Sequence, residues 1–356
     1  MNRIIYQYLQ KNATKAVSIK CLKLILVVFM VYMSFYSFSQ DIHFSQFYNS
    51  TTQLNPALCG LYNGTYRFSG IYRNQWANVP VNYNTAKLGV EYKAIQSAKA
   101  GNLNIGLSYY YDKAGDSRYT TMLPNLTLGY SKTFGKSISH TIGIAITSGI
   151  IYKQISYAAL QFDAQYNGEF YDANAPSFEN AGIAKNTVLD VGSGLVYQIE
   201  KNKKWSFQLG YSVAHINRPN YSFLGNSDIK LNMRHTIHGK FGIALGKKTS
   251  TQIQLVYQRQ DSKQEFVAGF VFKNQLSTNL KNSIILYYGP FYRVNDAAIV
   301  LVGIEYNSLN IGFSYDINTS SFLKGTNTYG ATELSVQYVL APIKKIKLDK
   351  SICPIF

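Results

Sequence analysis

Three cysteines in 356 residues, 18 acidic side chains against 35 basic ones, and no long apolar run after residue 38 describe this chain first by what it lacks. So few cysteines cannot build the disulfide framework of a small secreted scaffold. A membrane helix needs roughly 18 or more consecutive apolar residues, and nothing beyond the first 40 positions approaches that. Helical periodicity is missing there too, which excludes a helical bundle. No His-Glu-x-x-His run, Gly-x-Ser-x-Gly elbow or phosphate-binding glycine loop occurs. The familiar signatures of metalloproteases, serine hydrolases and nucleotide-binding enzymes are therefore absent.

The first 40 residues differ from the rest. Arg3, Lys11, Lys15, Lys20 and Lys23 precede the apolar run Leu24 to Phe38, with Ser37 and Ser39 as small residues just before Gln40. This is the pattern of a cleaved export signal over 1–39. The run is too short for a membrane anchor. Cys21 would leave with it, and the five basic residues would leave too, taking the formal charge from +17 to +12. Of the remaining charge, the C-terminal cluster Lys344, Lys345, Lys347 and Lys350 is the densest, opposed only by Asp349. In an exported protein such a tail suits anionic lipid headgroups or acidic partner surfaces rather than nucleic acid. Whether it docks or is simply solvated is left open. Export permits a disulfide between Cys59 and Cys353, although spacing along the chain gives no distance in space.

What the chain has in quantity is alternation. Ile105, Leu107, Tyr109 and Tyr111 share one face while Asn104, Gly106 and Ser108 share the other; Leu309, Ile311, Phe313 and Tyr315 alternate in the same way with Asn310, Gly312, Ser314 and Asp316. Period-two patterning means strands with two chemically distinct faces. One face carries Gly, Ser, Asn and Gln, and the other carries much of a large stock of 30 Tyr and 20 Phe. A transmembrane β-barrel reads this way, with an apolar outer wall and aromatic girdles.

Fourteen strands are expected. In the first half they run from Tyr66 to Arg73, Thr85 to Lys93, Asn104 to Asp112, Thr121 to Phe134, Ser139 to Gln154, Val188 to Tyr197 and Trp205 to Ile216. The second half gives Asn232 to Leu245, Ser250 to Gln260, Glu265 to Phe272, Ser283 to Tyr292, Ala297 to Tyr306, Leu309 to Ile317 and Gly330 to Leu340. An even count lets an antiparallel up-and-down barrel close, and closure is required because no open sheet edge survives in lipid. Pro124 and Pro290 each remove a ladder donor, so a strand start, bulge or rim is expected at both. Connections on the side where the first strand starts are all ten residues or fewer, and the long ones fall together on the opposite side. Bacterial outer-membrane barrels keep short turns in the periplasm. On that pattern 40–65 is a periplasmic lead-in, 66–340 the barrel and 341–356 a basic periplasmic tail, with both termini in the periplasm.

Candidate chemistry is sparse. His235 and His238 lie three apart on a strand, hence on opposite faces and poorly placed for one metal. Asp163, Glu169, Asp172 and Glu179 lack the spacing of a calcium loop and read as solvated charges. No catalytic, cofactor or metal residues are expected. Trp76, just beyond the first strand, is an interface anchor or a partner contact. Arg218 and Asn220, beside a long loop, either cap the rim or engage cargo. Asn55-Pro56-Ala57 turns the chain into the first strand. Glu91, Lys93, Gln252 and Gln254 face the lumen and line either a water-filled passage or a cross-lumen plug.

Several blocks outside the alternation are distinctive. Asp41-Ile42-His43-Phe44-Ser45-Gln46-Phe47-Tyr48, Leu54-Asn55-Pro56-Ala57 and Tyr72-Arg73-Asn74-Gln75-Trp76 open the series. Gln161-Phe162-Asp163, His215-Ile216-Asn217-Arg218-Pro219-Asn220, Gly289-Pro290-Phe291-Tyr292-Arg293 and Gly312-Phe313-Ser314-Tyr315-Asp316 follow. Together, and in this order, they resemble the PorP/SprF family of the type IX secretion system. The resemblance implies a non-enzymatic outer-membrane barrel needed for secretion or surface anchoring of large adhesins with a C-terminal sorting domain, often linked to gliding motility. It also implies contact with periplasmic ring or lipoprotein components of that machine. Cys59 departs from the small residue usual after Asn-Pro-Ala. The alternative, from the same barrel patterning, is a general or substrate-selective porin.

Overall fold

The structure, a computed structural model, describes residues 43–76, 82–115, 117–157, 160–178, 183–201, 204–223, 226, 228–279, 282–320 and 328–340. The expected export signal, the C-terminal tail and Cys353 lie outside the described residues. Fourteen antiparallel strands follow one another around a closed barrel. They are β1 (Tyr66–Gln75), β2 (Tyr83–Ser97), β3 (Gly101–Ala114), β4 (Tyr119–Phe134), β5 (Ile138–Ser156), β6 (Ile183–Lys201) and β7 (Trp205–Ala214). Then come β8 (Arg234–Ala244), β9 (Thr249–Gln260), β10 (Lys263–Asn279), β11 (Asn282–Arg293), β12 (Ala297–Tyr306), β13 (Leu309–Asn318) and β14 (Tyr329–Leu340). β1 and β14 close the seam in one unbroken register, from Tyr66 opposite Leu340 to Gln75 opposite Ala331. No sheet edge is left to be satisfied, as a hydrocarbon surround demands. Among the described residues no helix is long and apolar enough to cross a membrane.

The two faces separate as the alternation requires. In β5, Ile142, Ile144 and Ile146 point outward while Gly143 and Ala145 are buried inside. In β13, Ile311 and Phe313 are outward while Ser314 and Asp316 are buried. Aromatic side chains gather toward both rims of the outer wall. Tyr66 stacks on Tyr92 at 4.6 Å near one rim, and Trp76 meets Tyr83 edge-on at 5.1 Å near the other.

Both prolines depart from expectation, because each lies inside a strand with no bulge. Pro124 keeps its pairing with Tyr109 of β3, but the ladder to β5 pauses between Met122 opposite Tyr152 and Asn125 opposite Gly149. Pro290 keeps its pairing with Val300 of β12, and the ladder to β10 pauses between Gly269 opposite Phe291 and Phe272 opposite Tyr288. Register is the same before and after each pause. Glycine absorbs the misfit: a Cβ at Gly149 would stand 2.4 Å from the Pro124 carbonyl oxygen, and one at Gly289 would stand 1.8 Å from that of Phe270. The register shifts fall elsewhere, between Lys93 and Ile95, between Gln275 and Ser277, and between Asp316 and Ile317.

The lead-in also departs from expectation. The described part of 40–65 does not remain outside the rim where β1 begins. It passes through the lumen, and His43 lies beside Glu265 and Arg293 at the opposite ends of their strands. Residues 43–60 form an internal plug. Its apolar side chains Phe47, Leu54, Ala57 and Leu58 pack with Val256, Val267, Val271, Phe291, Ile299 and Leu301 of the inner wall.

The outward position of Ile146 makes a direct test. Ile146→Arg puts a charge near mid-strand on the hydrocarbon face, at a cost of about 2–4 kcal/mol. Urea unfolding in phospholipid vesicles should show that loss, and an unchanged midpoint would contradict a lipid-facing position.

Candidate functional site

The plug begins with a chemical fact: from Phe44 to Thr65 the chain carries no ionisable acid or base other than tyrosine and Cys59. Such a segment enters a lumen without the penalty of desolvating a charge. It is built from three short helical turns, Phe47–Asn49, Thr51–Leu54 and Pro56–Leu58. Pro56 biases its predecessor to extended geometry, and Asn55 sits at φ −160° and ψ 119°. From there its side-chain oxygen accepts from the Ala57 N–H at 2.9 Å, capping the last turn.

The rest of the Asn55 amide reaches the wall. Nδ2 shares its two hydrogens among the carbonyl oxygens of Leu195 (2.9 Å) and Tyr211 (3.3 Å) and Nε2 of His238 (3.1 Å). The last bond requires that His238 Nε2 carry no proton. Ser212 Oγ donates to the Leu54 carbonyl at 2.8 Å. Two glycines make this approach possible. A Cβ at Gly194 would lie 2.0 Å from Asn55 Oδ1, and one at Gly210 would lie 2.7 Å from Asn55 Nδ2. Gly143 and Gly106 make similar room for the Ala57 carbonyl and the Cys59 sulfur, each at 3.0 Å. These four glycines are spaces for the plug.

At the end of the plug near His43 the wall supplies charge. Glu333 accepts the backbone N–H groups of Ser45 (2.6 Å) and Gln46 (2.8 Å). Arg73 bridges Glu333 (2.6 Å), Asp316 (3.1 Å) and Ser45 Oγ (2.8 Å). Arg293 donates to Asp316 (3.2 Å), Asp296 (2.9 Å) and Ser45 Oγ (2.7 Å), while Ser45 Oγ donates to Asp316 at 2.6 Å. Charge-assisted bonds of this kind are the stronger ones. Burial holds the His43 imidazole below its ordinary value, outweighing the Glu265 carboxylate beside it.

Nearer β1's start a second cluster holds the other end. Arg67 pairs with both oxygens of Glu91 at 2.7 Å, and that carboxylate also accepts from Thr51 Oγ1 (2.9 Å) and the Gly60 N–H (3.1 Å). Gly60 has φ +80°, the left-handed region that suits glycine. Burial, reinforced by Glu91, pushes the Cys59 thiol far above its usual range, so it stays protonated and unreactive. Between the clusters Gln46 donates to Ser314 (3.1 Å), Asn49 donates to Ser335 (2.7 Å), and Gln337 donates to the Asn49 carbonyl (3.1 Å).

Of the lumen-facing candidates, Glu91 is a principal plug anchor, Lys93 donates to the Tyr62 carbonyl, and Gln254 donates to Gln252 at 3.1 Å. The open choice between passage and plug resolves as a plug, made by a chain segment rather than by wall side chains alone. His238 faces inward to Asn55, whereas His235 faces outward to the Tyr211 hydroxyl at 2.8 Å. Among the described residues no group of His, Cys, Asp or Glu could hold a metal ion. Trp76 lies past the end of β1 at φ 58°, with its N–H on the Gly330 carbonyl. Arg218 donates to Asn232 Oδ1 at 3.0 Å, and Asn220 accepts from the Ser222 N–H at 2.9 Å and bridges to Lys230. These two order the loop they stand on. Lys344, Lys345 and Lys347 lie outside the described residues. The plug residues Ser45, Gln46, Asn49 and Thr51 and the wall residues Arg73, Arg293, Asp316 and Glu333 were not singled out as site residues by sequence reasoning. Ionisable residues at inward positions were the available signal, since each needs a partner inside.

A type IX secretion system membrane protein model, PorP/SprF, matches residues 36–338. The chain belongs to this family. Matches among solved structures include transporters, channels and porins. The Ralstonia pickettii toluene transporter TbuX shares 11% identity at a TM-score of 0.45, over 82% of this chain and 92% of that one. The CymD monoaromatic hydrocarbon channel shares 10% at 0.42, over 82% and 93%. A Pseudomonas aeruginosa FadL homologue shares 10% at 0.40, over 80% and 92%. No curated protein matches. The family supplies both the membrane and the machine: an outer-membrane barrel of the type IX secretion apparatus.

Two variants of this PorP/SprF protein test how the plug is held. Asn55→Ala removes buried hydrogen bonds, for about 1–3 kcal/mol, so Cys59 should react with a small methanethiosulfonate reagent roughly fivefold to a hundredfold faster. Barrel integrity is read in parallel from heat-modifiable gel mobility; unchanged Cys59 reactivity in an intact barrel would show that Asn55 does not hold the plug. Glu333→Ala leaves Arg73 buried without its closest carboxylate and should cost about 3–5 kcal/mol in thermal or urea unfolding.

Proposed function

We propose that this chain is a non-enzymatic outer-membrane anchor of the type IX secretion system that supports secretion or surface attachment of an adhesin bearing a C-terminal sorting domain, in service of gliding motility. The supporting observation is the filled lumen. A barrel with residues 43–60 hydrogen-bonded to its inner wall offers no passage for an unfolded or folded adhesin, so cargo and machine meet it at the rims. The reading as a general porin loses its support on the same ground, since it needs an open bore.

The connections favour one orientation. On the side where β1 begins, consecutive strands are joined by 98–100, 135–137, 202–204, 245–248, 280–281 and 307–308, all four residues or fewer, while the other side carries the long connections 157–182, 215–233 and 319–328 besides the shorter 76–82, 115–118, 261–262 and 294–296. Short turns belong in the periplasm. The basic tail after Leu340 then meets periplasmic ring or lipoprotein partners, and the longer loops, with Trp76, Arg218 and Asn220, meet cargo or the outer leaflet. Export relies on the 1–39 signal.

Gene deletion tests the assignment. Surface adhesin, measured by antibody labelling of intact cells, should fall to background while the barrel-assembly machinery is unaffected. Unchanged display and secretion of every sorting-domain protein would refute it. Reconstituted protein should be nearly silent in planar bilayers; a steady wide conductance would restore the porin reading.

A further inference from the structure

The two rims differ in charge as well as in loop length. The six connections on the side where β1 begins carry seven lysines and no acidic residue, whereas the seven on the other side carry eight acids against four bases. Of the short-turn lysines, Lys99, Lys136, Lys204, Lys247 and Lys248 are exposed, with no ion pair among the described residues. Lysines at turn tips alone read as a solvated edge. One sector of the outer wall just inside this rim is built differently.

There Lys132 of β4 stands on the lipid-facing side between the exposed rings of Tyr130 and Phe134, and Lys201 of β6 stands directly opposite Trp205 of β7. Rings occupy the wall between the two lysines. Phe134 stacks on His140 at 5.4 Å, and His140 Nδ1 is hydrogen-bonded to the Tyr197 hydroxyl at 2.7 Å. Glu200, next to Lys201 in sequence, is turned to the lumen by the strand alternation and is among the charges around Lys240. Lys132 and Lys201 are both exposed and have no ion pair among the described residues. A lysine on the hydrocarbon face is costly unless its ammonium reaches the headgroup layer. At that layer each presents an unmatched cation beside rings of the kind that hold a membrane interface. The far rim has its own anchor, Trp76 against Tyr83, but its connection 76–82 contains no charge at all.

We propose that the outward patch of Lys132, Phe134, His140, Tyr197, Lys201 and Trp205 binds anionic phospholipid headgroups in the leaflet at the short-turn rim. Lys132 and Lys201 take the phosphates, and the rings cover the ester region beside them. A zwitterionic headgroup brings its own cation to its phosphate; an anionic one does not, and so complements lysines that lack an acid. Both lysines lie on the hydrocarbon wall rather than at the turn tips, which favours lipid over an acidic protein. The inference goes beyond the secretion assignment and holds whichever side of the membrane this rim faces.

The protein's two tryptophans supply the test, because Trp205 lies in the patch and Trp76 at the far rim. Full-length protein carrying Trp76→Phe is reconstituted in phosphatidylcholine vesicles containing an equal minor fraction of either phosphatidylglycerol or phosphatidylcholine, brominated near the headgroup end of its chains. Quenching of Trp205 should correspond to roughly fivefold enrichment of phosphatidylglycerol around it. Trp76, read in Trp205→Phe, should show none. Lys132→Gln with Lys201→Gln should abolish the enrichment with heat-modifiable mobility unchanged, each single substitution should lose part of it, and Lys132→Arg with Lys201→Arg should keep it. If either tryptophan variant does not assemble, the lysine substitutions are compared in the wild-type background, where they must remove the difference between the two lipids. Equal quenching by both lipids, equal enrichment at Trp76, or enrichment that survives the glutamine substitutions would overturn the assignment. Lysine-dependent binding of poly-glutamate without lipid enrichment would overturn it too, in favour of an acidic protein partner.

Discussion

The structure depends on what must fill a barrel of this size. Eight strands enclose a space that inward side chains can fill by themselves, and wider barrels leave a channel. With fourteen strands and glycines such as Gly106, Gly143, Gly194 and Gly210 on the inner face, the wall cannot meet across its own lumen. Chain must be supplied from elsewhere. Residues 43–60 supply it, and their backbone groups then need partners inside, because a buried N–H or C=O cannot be left unpaired. The Glu333 carboxylate on the Ser45 and Gln46 N–H groups and the Glu91 carboxylate on the Gly60 N–H answer that need.

The division of charge between wall and plug follows from energetics. A buried ion pair is costly to assemble and more costly to break. Here the ions stay on the strands, where Arg67 meets Glu91 and Arg73 meets Glu333 directly across paired strands, and Asp316 reaches Arg73 from one strand further round. The plug contributes neutral donors and acceptors to ions already matched, so seating it brings no charge of its own out of water. A plug carrying its own lysines or aspartates would need each pair to form during insertion.

This division explains which parts of the molecule were legible in the sequence. Strand patterning was legible throughout, because lipid outside and a polar, glycine-containing wall inside impose a strict period of two. Leu107 against Asn104, and Phe313 against Ser314, show it directly. The prolines were misplaced because a missing donor was expected to end pairing, whereas Pro124 and Pro290 each face the paused ladder on one side only and a glycine opposite or adjacent takes up the space. The plug was illegible as a plug because it has no periodicity of its own: a string of Ser, Gln, Asn and Thr around Pro56 reads equally as a surface lead-in. Its trace lay in the wall, in Arg67, Arg73, Glu91 and Glu333 at inward positions, where an empty lumen would leave them for water and a filled one demands neutral partners. The pairing of Asn55 with Gly194 and Gly210, more than a hundred residues away, is a three-dimensional fit that no local pattern encodes.

For a secretion component the closed bore has a mechanical consequence. The two ends of the plug are held differently. Toward β1 it is continuous with the wall, and the Tyr62 hydroxyl, donating to the Thr65 and Glu91 carbonyls at 3.0 and 2.9 Å, fixes that junction. Toward His43 it is held by hydrogen bonds to the Arg73, Arg293, Asp316 and Glu333 cluster, strong together but reversible. A force applied at the short-turn rim meets a covalent restraint, whereas at the long-loop rim the plug is held by these hydrogen bonds and by the apolar packing of Phe47 against Phe291.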